Sequence, residues 1–312
     1  MADDNRSLEE RKLKEIEHSR VRRSILRGYE RTSDTNLQEE APRLKELIRD
    51  EKAFKRHFSN IKFYSVAVRS AEHYQAWLRQ RCPGAKALDY CCGNGENAIF
   101  MAKCGADVIG IDISPEGIEN ARLNAIEEGV EARCKFEIMD GEAMTFADNT
   151  FDVIVAYGVL HHLDFDNAMS ELSRVLRPDG GIIAIESLRH NPIFHLYRKM
   201  TMHLRTQWEF EHILTVDHLN WARKYFAHVD ARFFHLAVMA AVPFRKTVIF
   251  RPLRRFLDRV DEVVLRAEAI GKYGWMMVFT LGKPRKAGAG GYSMEASGSR
   301  QTCPELGLSG RE

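Results

Sequence analysis

Short apolar runs alternate with helical patterns through residues 86–187, and this alternation constrains the fold more than any other feature of the chain. The apolar runs are KALDY, DVIGIDI, CKFEIMD, FDVIVAYG and GIIAIES, and segments with helical spacing such as PEGIENARLNAIEEG and NAMSELSRVL separate them. Strands that regularly alternate with helices form a parallel sheet with helices on both faces. We therefore predict a doubly wound, mostly parallel α/β sheet within residues 86–283.

The segments outside the alternating region predict the domain organisation. Charged helical patterns in residues 1–85 predict an N-terminal helical cap. The patterns in residues 187–270 predict helical insertions after the fifth and sixth strands, which bind an acceptor or form a lid. Within them we predict helices over 192–205 and 217–226, a strand within 229–240 and a basic amphipathic stretch at 244–269. Residues 284–312 are rich in Gly, Ser and Ala, which predicts a disordered tail.

Composition excludes several classes of protein. The six cysteines show no CxxC spacing, which argues against a disulfide framework and a zinc ribbon. We expect no metal site, because the loop that contains His161, His162 and Asp164 has no second cluster at ligand spacing. No apolar run predicts a signal peptide or a membrane span, so we expect a cytoplasmic protein.

The segment ALDYCCGNGENA lies where the first predicted strand meets the first helix. Ligands of doubly wound sheets bind at such strand ends. Gly93, Gly95 and Ala98 satisfy the GxGxxA form of the dinucleotide fingerprint, and Asp112 ends the next strand, as a ribose-binding acid does. This pattern alone leaves an NAD-dependent oxidoreductase open.

Two further acids favour a different ligand. Asp89 stands at the end of the first strand, where a carboxylate opposes a pyrophosphate but suits a sulfonium cation. Asp140 and Gly141 follow the third strand and supply an acceptor for an adenine amino group. Together they favour S-adenosyl-L-methionine over NAD.

With these motifs in order, the sequence resembles the class I S-adenosylmethionine-dependent methyltransferases, and in particular their small-molecule branch. FDVIVAYGVLHHLD and ELSRVLRPDGGIIAIES match the family's later motifs. The resemblance implies a Rossmann-like methyltransferase fold, S-adenosyl-L-methionine as cofactor, and cofactor-binding roles for Tyr64, Asp89, Cys91, Gly93, Gly95, Asp112, Ile113, Asp140, Gly141 and Tyr157. Cys91 replaces the usual first glycine, so we expect no positive φ at that position.

His161 and His162 follow the fourth strand on the side where a methyl acceptor would lie. A histidine can remove the proton that many acceptors must lose, so one of the pair is a candidate general base. The alternative is that one histidine caps the loop and the other packs, because adjacent side chains seldom point the same way.

A dense polar set after the fifth strand predicts where the acceptor binds. Arg198 and Arg205 suit a carboxylate or phosphate, because a guanidinium can bind such groups with two hydrogen bonds. The alternative for each residue is a solvated helix face. The acceptor would be a small apolar or acidic metabolite, and the candidate residues are Glu186, His190, Asn191, Tyr197, Arg198, Arg205, Glu209 and His212.

Charge is unevenly distributed although the whole chain carries only +2. Residues 86–186 contain seven basic and nineteen acidic residues, a net charge of −12, and residues 187–286 contain eighteen and eight, a net charge of +10. For the basic stretch 244–269 we rank three interpretations: a lid, then a peripheral membrane contact, then an RNA contact. We expect no nucleic-acid partner, and the sequence leaves the oligomeric state open.

The predicted function is methyl transfer from S-adenosyl-L-methionine to an O, N or C atom of a small molecule. Two alternatives stay open at this point: an NAD-dependent oxidoreductase and a non-catalytic member of the fold that binds the cofactor.

Overall fold

The computed structural model describes residues 10–17 and 61–285, apart from the side chains of Ile61 and His203. The rest of the predicted N-terminal cap and nearly all of the predicted tail lie outside these residues. The cap and the tail as separate units therefore stay predictions, and so does the role of residues 187–270 in binding an acceptor or forming a lid.

A seven-stranded sheet forms the centre of the molecule, in the order β3-β2-β1-β4-β5-β7-β6. All neighbouring strands are parallel except for the two pairs that β7 makes, with β5 and with β6. The strands are β1 (Lys86–Tyr90), β2 (Asp107–Asp112), β3 (Cys134–Ile138), β4 (Phe151–Tyr157), β5 (Leu176–Ser187), β6 (Phe226–Phe234) and β7 (Met276–Pro284).

Helices cover both faces of this sheet. Within the described residues they are α1 (residues 10–17), α2 (Ile61–Tyr64), α3 (Val68–Arg81), α4 (Glu96–Lys103), α5 (Pro115–Glu127), α6 (Phe165–Val175), α7 (Pro192–Met200), α8 (Gln207–Glu211), α9 (Asp217–Ala222), α10 (Phe250–Val264) and α11 (Glu268–Gly271). Short 3-10 segments occur at Glu131–Arg133, Leu160–His162, Met202–Leu204 and Ala237–Phe244.

Local sequence explains the helix starts that border the central sheet. Ser114 accepts a hydrogen bond from the backbone N–H of Gly117 and is followed by Pro115, so both the cap and the first helical residue favour the start of α5. Asp164 caps α6 through the backbone N–H of Asn167.

The buried side chains form two large apolar clusters.

The strand order reverses between β1 and β4, because the chain runs from β1 outward to β2 and β3 and then returns to β4 on the other side. Such a switch point opens a crevice at the carboxyl ends of the two strands. The glycine loop after β1 and the two histidines after β4 border this crevice. The predicted doubly wound fold and the insertions after the fifth and sixth strands are confirmed.

The insertions differ from the sequence prediction in their boundaries. The helix predicted over 192–205 ends at Met200, and the one predicted over 217–226 ends at Ala222. Phe226 begins β6 instead, because β6 pairs with β7 and this sheet pairing overrides the helical pattern. The second half of the predicted strand 229–240 is the 3-10 segment Ala237–Phe244.

Candidate active site

The loop between β1 and α4 has three residues in the left-handed region: Cys91 at φ 56°, Gly93 at φ 60° and Gly95 at φ 84°. The expectation that Cys91 needs no positive φ was wrong, because the tight turn after β1 requires this conformation even of a residue with a Cβ. A Cβ at Gly95 would lie 2.9 Å from the Cβ of Ala121, so glycine also permits α4 and α5 to approach closely.

Asp89 does not face the crevice as the sequence argument assumed. Its side chain is buried, and its carboxyl oxygen accepts a hydrogen bond of 2.8 Å from the backbone N–H of Ala98. Burial raises the pKa of Asp89 to about 8, and the charges of Glu96 and Asp112 add to this rise. Asp89 therefore anchors the start of α4 to β1 from a buried position.

The raised pKa of Asp89 predicts a pH-dependent stability. Below its unfolded pKa of about 3.8 the carboxyl is protonated in both states, and between that value and about 8 only the folded state holds the proton. The stability that this group contributes is thus lost as the pH rises through that range, by up to about 1.4 kcal/mol per pH unit. Asp89→Asn keeps an oxygen for Ala98 and removes the titration.

Urea unfolding of the ligand-free protein across this pH range measures the effect. We expect wild type to lose stability relative to Asp89→Asn as the pH rises. Asp179→Asn, a change at an exposed residue near the start of β5, controls for the loss of one surface acid. A wild-type to Asp89→Asn difference that does not change with pH would contradict the assignment.

Asp112, at the end of β2, holds the glycine loop in place. Its two carboxylate oxygens accept hydrogen bonds of 2.9 Å from the backbone N–H groups of Gly93 and Ser114. A carboxylate offers about four lone-pair sites, so ligand hydroxyls can bind the same oxygens. Ile113 follows directly and is half-buried, which leaves part of its apolar surface beside this carboxylate.

Asp140 and Gly141 form the turn after β3. Asp140 accepts a hydrogen bond of 2.9 Å from the backbone N–H of Glu142 and makes an ion pair with Lys12. Tyr90 donates its hydroxyl to the carbonyl oxygen of Gly141 at 2.9 Å, and a Cβ at Gly141 would meet the Tyr90 ring at the same distance. Glycine is therefore required where the turn crosses this ring.

Two tyrosines stand at the other side of the crevice. Tyr157, the last residue of β4, is partly exposed and packs edge-on against Tyr74. Burial, with a smaller effect of Tyr64, raises the pKa of Tyr157 to about 12, so its hydroxyl is a hydrogen-bond donor at neutral pH. Tyr64 in α2 is about half exposed and packs edge-on against Trp275.

His161 and Glu186 form a buried pair beside the crevice. His161 Nδ1 lies 2.7 Å from Glu186 Oε2, and Glu186 Oε1 accepts the backbone N–H groups of Val159 and Leu160 at 2.8 and 2.7 Å. Glu186 has no solvent exposure. The carboxylate thus fixes both the 3-10 segment Leu160–His162, which we call the histidine turn, and the ring of His161.

The tautomer of His161 follows from this pair. A carboxylate at Nδ1 accepts a hydrogen bond, so the ring proton lies on Nδ1 and the lone pair lies on Nε2. Nε2 points toward α8, where the nearest acid oxygen is Glu209 Oε1 at 3.9 Å. This is the tautomer that a general base needs.

His162 lies beside His161, with ring centroids 4.2 Å apart, so the two rings point the same way. Its Nδ1 lies 2.8 Å from a carboxylate oxygen of Glu15. Burial lowers the pKa of His162, but the hydrogen bond with Glu15 and the charges of Glu209 and Glu186 outweigh burial, so the pKa lies above its ordinary value. Glu15 therefore holds His162 against α1 and favours its protonated form.

Two of the predicted acceptor-binding residues have structural partners. Arg198 is buried and donates to the carbonyl oxygen of Leu188 at 2.8 Å; burial and the nearby Arg205 lower its pKa to about 10. Asn191 caps α7 with its side-chain oxygen and donates its amide to the carbonyl of Tyr273. Both side chains hold the insertion together.

The other predicted acceptor residues are more dispersed. His190 accepts from the backbone N–H of Val216, Tyr197 packs edge-on against Phe63, and His212 stacks on Trp208. Arg205 and Glu209 pair with each other at 3.3 Å. Of the predicted acceptor-binding residues, Glu186 and Glu209 lie beside the ring of His161.

Sequence reasoning missed the residues of α1 that contact the site. Arg11 pairs with Glu142, Lys12 pairs with Asp140, and Glu15 binds both His162 and the hydroxyl of Thr206. The helical pattern of the N-terminal segment predicted a covering helix, but its partners lie more than a hundred residues away along the chain. α1 therefore bridges the turn after β3 and the start of α8.

Several buried polar atoms near α1 have no hydrogen-bond partner among the described residues. They are the indole nitrogen of Trp208, two guanidinium nitrogens of Arg11 and one carboxylate oxygen of Glu142. The guanidinium of Arg11 lies 4.5 Å from the centre of the Trp208 ring. Unsatisfied donors beside an aromatic face suit a ligand with both an apolar ring and a polar substituent.

A family model described as a methyltransferase domain matches residues 87–180. The match runs from β1 into β5 and includes the glycine loop, Asp112, Asp140 and the histidine turn. The chain carries a class I S-adenosylmethionine-dependent methyltransferase domain. The resemblance predicted from the sequence is thus confirmed, and the match favours this interpretation of the glycine loop over a dinucleotide site.

Curated methyltransferases are similar to part of this chain. Methyltransferase GfsG of Streptomyces halstedii is 41% identical over 107 residues, which are 34% of this chain and 38% of that protein. Demethylmenaquinone methyltransferase of Bacillus cytotoxicus is 30% identical over 155 residues, 44% of this chain and 64% of that protein. Ubiquinone biosynthesis O-methyltransferase of Sinorhizobium medicae is 34% identical over 126 residues, 39% of this chain and 50% of that protein. The chain therefore spans less than two thirds of each relative's length.

The described residues were compared with the requirements of a metal site and of a membrane-spanning helix. In residues 10–17 and 61–285, no group of three or more His, Cys, Asp or Glu side chains is arranged to hold a metal ion. Within the same residues, no helix is long and apolar enough to cross a bilayer.

Proposed function

We propose that this protein transfers the methyl group of S-adenosyl-L-methionine to a hydroxyl oxygen of a small aromatic or otherwise apolar acceptor. The observation that carries the proposal is the His161–Glu186 pair, which presents the Nε2 lone pair of His161 next to the crevice of a methyltransferase domain. An acceptor that must lose a proton needs such a base.

The residues at the glycine loop suit S-adenosyl-L-methionine. Gly93 and Gly95 bring the backbone to the crevice without side chains, and Asp112 offers carboxylate oxygens for ribose hydroxyls. Ile113 supplies apolar surface for an adenine ring, and Asp140 an acceptor for its amino group. When bound, the cofactor supplies an electrophilic methyl carbon on a sulfonium.

His161 performs the proton transfer in this proposal. Nε2 takes the hydroxyl proton of the acceptor while the oxygen forms its bond to the methyl carbon and the carbon–sulfur bond breaks. The products are a methyl ether, S-adenosylhomocysteine and a proton on His161. Glu186 stabilises the resulting imidazolium, since its carboxylate lies 2.7 Å from Nδ1.

Aromatic side chains support an aromatic acceptor. Trp208 lies in α8, the helix toward which His161 Nε2 points, and the unsatisfied donors of Trp208 and Arg11 can bind an oxygen of the acceptor. Two of the relatives named above are a demethylmenaquinone methyltransferase and a ubiquinone biosynthesis O-methyltransferase, which is consistent with an acceptor of this kind.

A screen of phenols, carboxylic acids and amines for acceptor-dependent release of S-adenosylhomocysteine tests the proposal. We expect release with phenolic hydroxyls and none with amines. Cofactor binding without release for any acceptor class would instead support a non-catalytic member of the fold.

A further inference from the structure

The outer surface of residues 244–263 combines exposed apolar side chains with exposed basic ones. Val248 is 94% exposed, Phe256 63% and Val263 69%. Phe256, Arg259 and Val263 lie three and four residues apart, so they share one face of α10. Exposed apolar side chains that share one face form a patch, and such patches mark surfaces that bind a partner or a membrane.

The exposed apolar residues do not serve the core. α10 packs its opposite face, with Leu253 and Leu257, on a small cluster that includes Val66, Val238 and Val242. The inward side of the basic stretch is therefore already covered by protein. Its outward side is the part that is left for a partner.

Charge on the outward side is strongly positive. Arg245, Lys246, Arg251, Arg255 and Arg259 are exposed, and none makes an ion pair with any acid in the part of the chain that the structure describes.

The acids of α10 are all engaged elsewhere. Glu262 binds Arg69 at 2.8 Å, Asp258 pairs with Arg254 at 3.2 Å, and Asp261 accepts three backbone N–H groups at the start of the 3-10 segment Ala237–Phe244. Positive charge on this face is thus not neutralised within the described residues.

We propose that the surface of residues 244–263 docks on an anionic lipid bilayer. Its apolar side chains would enter the boundary between headgroups and acyl chains, while the arginines bind lipid phosphates, as interfacial amphipathic helices do. An anionic bilayer fits this surface better than a neutral apolar partner, because its phosphates supply counter-charges for the five exposed basic side chains and a neutral partner would not. This inference stands independently of the proposed reaction.

Docking would bring the crevice close to the lipid. Phe63 in α2 packs on the same cluster as α10 and also contacts Phe194 in α7. The next residue, Tyr64, borders the crevice. An apolar acceptor dissolved in the bilayer would therefore meet the protein beside its site.

Co-sedimentation with vesicles tests the proposal. Wild type should bind vesicles of phosphatidylcholine mixed with phosphatidylglycerol, and bind pure phosphatidylcholine much less. Arg255→Glu/Arg259→Glu should lower the partition coefficient on the anionic vesicles by about tenfold or more, because each cation near an anionic surface contributes about fivefold. Phe256→Asp should lower it as well.

The matched control reverses charge and polarity at the opposite edge of the sheet. Ile126→Asp/Lys135→Glu changes an exposed apolar and an exposed basic residue on α5 and β3, and it should bind like wild type. Thermal unfolding of each variant checks that the fold is kept. Wild type that ignores anionic vesicles, or variants that bind like the control, would overturn the proposal; so would a dimer or an RNA complex that depends on Phe256 in place of vesicle binding.

Discussion

His161→Ala is expected to lower kcat by about 100-fold to 10,000-fold while the affinity for S-adenosyl-L-methionine stays within about twofold of wild type. The reason is that His161 takes the proton of the acceptor hydroxyl in this proposal, whereas the cofactor binds at the glycine loop, to which His161 does not belong. Steady-state kinetics with a hydroxyl acceptor, together with calorimetry of cofactor binding, measures both quantities.

His162→Ala is the matched control, because the neighbouring ring binds Glu15 and has no contact with Glu186 in the geometry described above. We expect a much smaller loss of kcat for this variant. Equal losses in the two variants would contradict the assignment of the base to His161 alone. Full activity of both variants at every pH would show that positioning alone drives the transfer.

Glu186→Gln extends this test to the tautomer of His161. The amide oxygen can still accept from Val159 and Leu160, but the amide nitrogen would donate to Nδ1. The ring proton then moves to Nε2, which can no longer act as a base. Glu186 is a positioning residue in this account, so its loss should change the pH profile of kcat and leave cofactor affinity unchanged.

Asp112→Ala is expected to weaken binding of S-adenosyl-L-methionine by about 100-fold or more, since two charge-assisted hydrogen bonds to the ligand contribute about 1.5 kcal/mol or more each. The change also frees the backbone N–H groups of Gly93 and Ser114. Calorimetric titration of the purified variant measures the affinity.

Asp107→Ala is the control for this variant. Asp107 is the exposed first residue of the same strand, and its side chain pairs with Arg133, remote from the glycine loop. It should bind the cofactor like wild type. If Asp112→Ala also binds like wild type, the cofactor does not lie against the end of β2.

The sequence predicted the central sheet well because each strand is short, apolar and bounded by a turn. The position of Asp112 near the glycine loop could also be predicted from the sequence, because side chains at the carboxyl ends of parallel strands lie at one edge of the sheet, where ligands bind. The pairing of His161 with Glu186 could not be predicted, because it depends on how closely the ends of β4 and β5 approach.

Burial was the main quantity that sequence reasoning could not supply. Asp89 looked like a ligand-facing acid, yet it is buried and carries a raised pKa. Arg198 looked like an acceptor clamp, yet it holds the carbonyl of Leu188. The contacts of α1 were missed since their partners are distant in sequence.

The uneven charge distribution has a clearer meaning in the structure. Three acids of residues 86–186 lie at the glycine loop and the turn after β3, namely Asp112, Asp140 and Glu142, whereas Asp89 is buried. Much of the basic excess of residues 187–286 lies on the outer face around α10, and this location is the basis for the proposed contact with lipid.

Calorimetric titration of the wild-type protein with S-adenosyl-L-methionine, S-adenosylhomocysteine and NAD tests the central claim most directly. We predict one binding event per chain for each of the first two ligands and none for NAD. Binding of NAD, or no binding of either sulfur ligand, would contradict the assignment of the glycine loop.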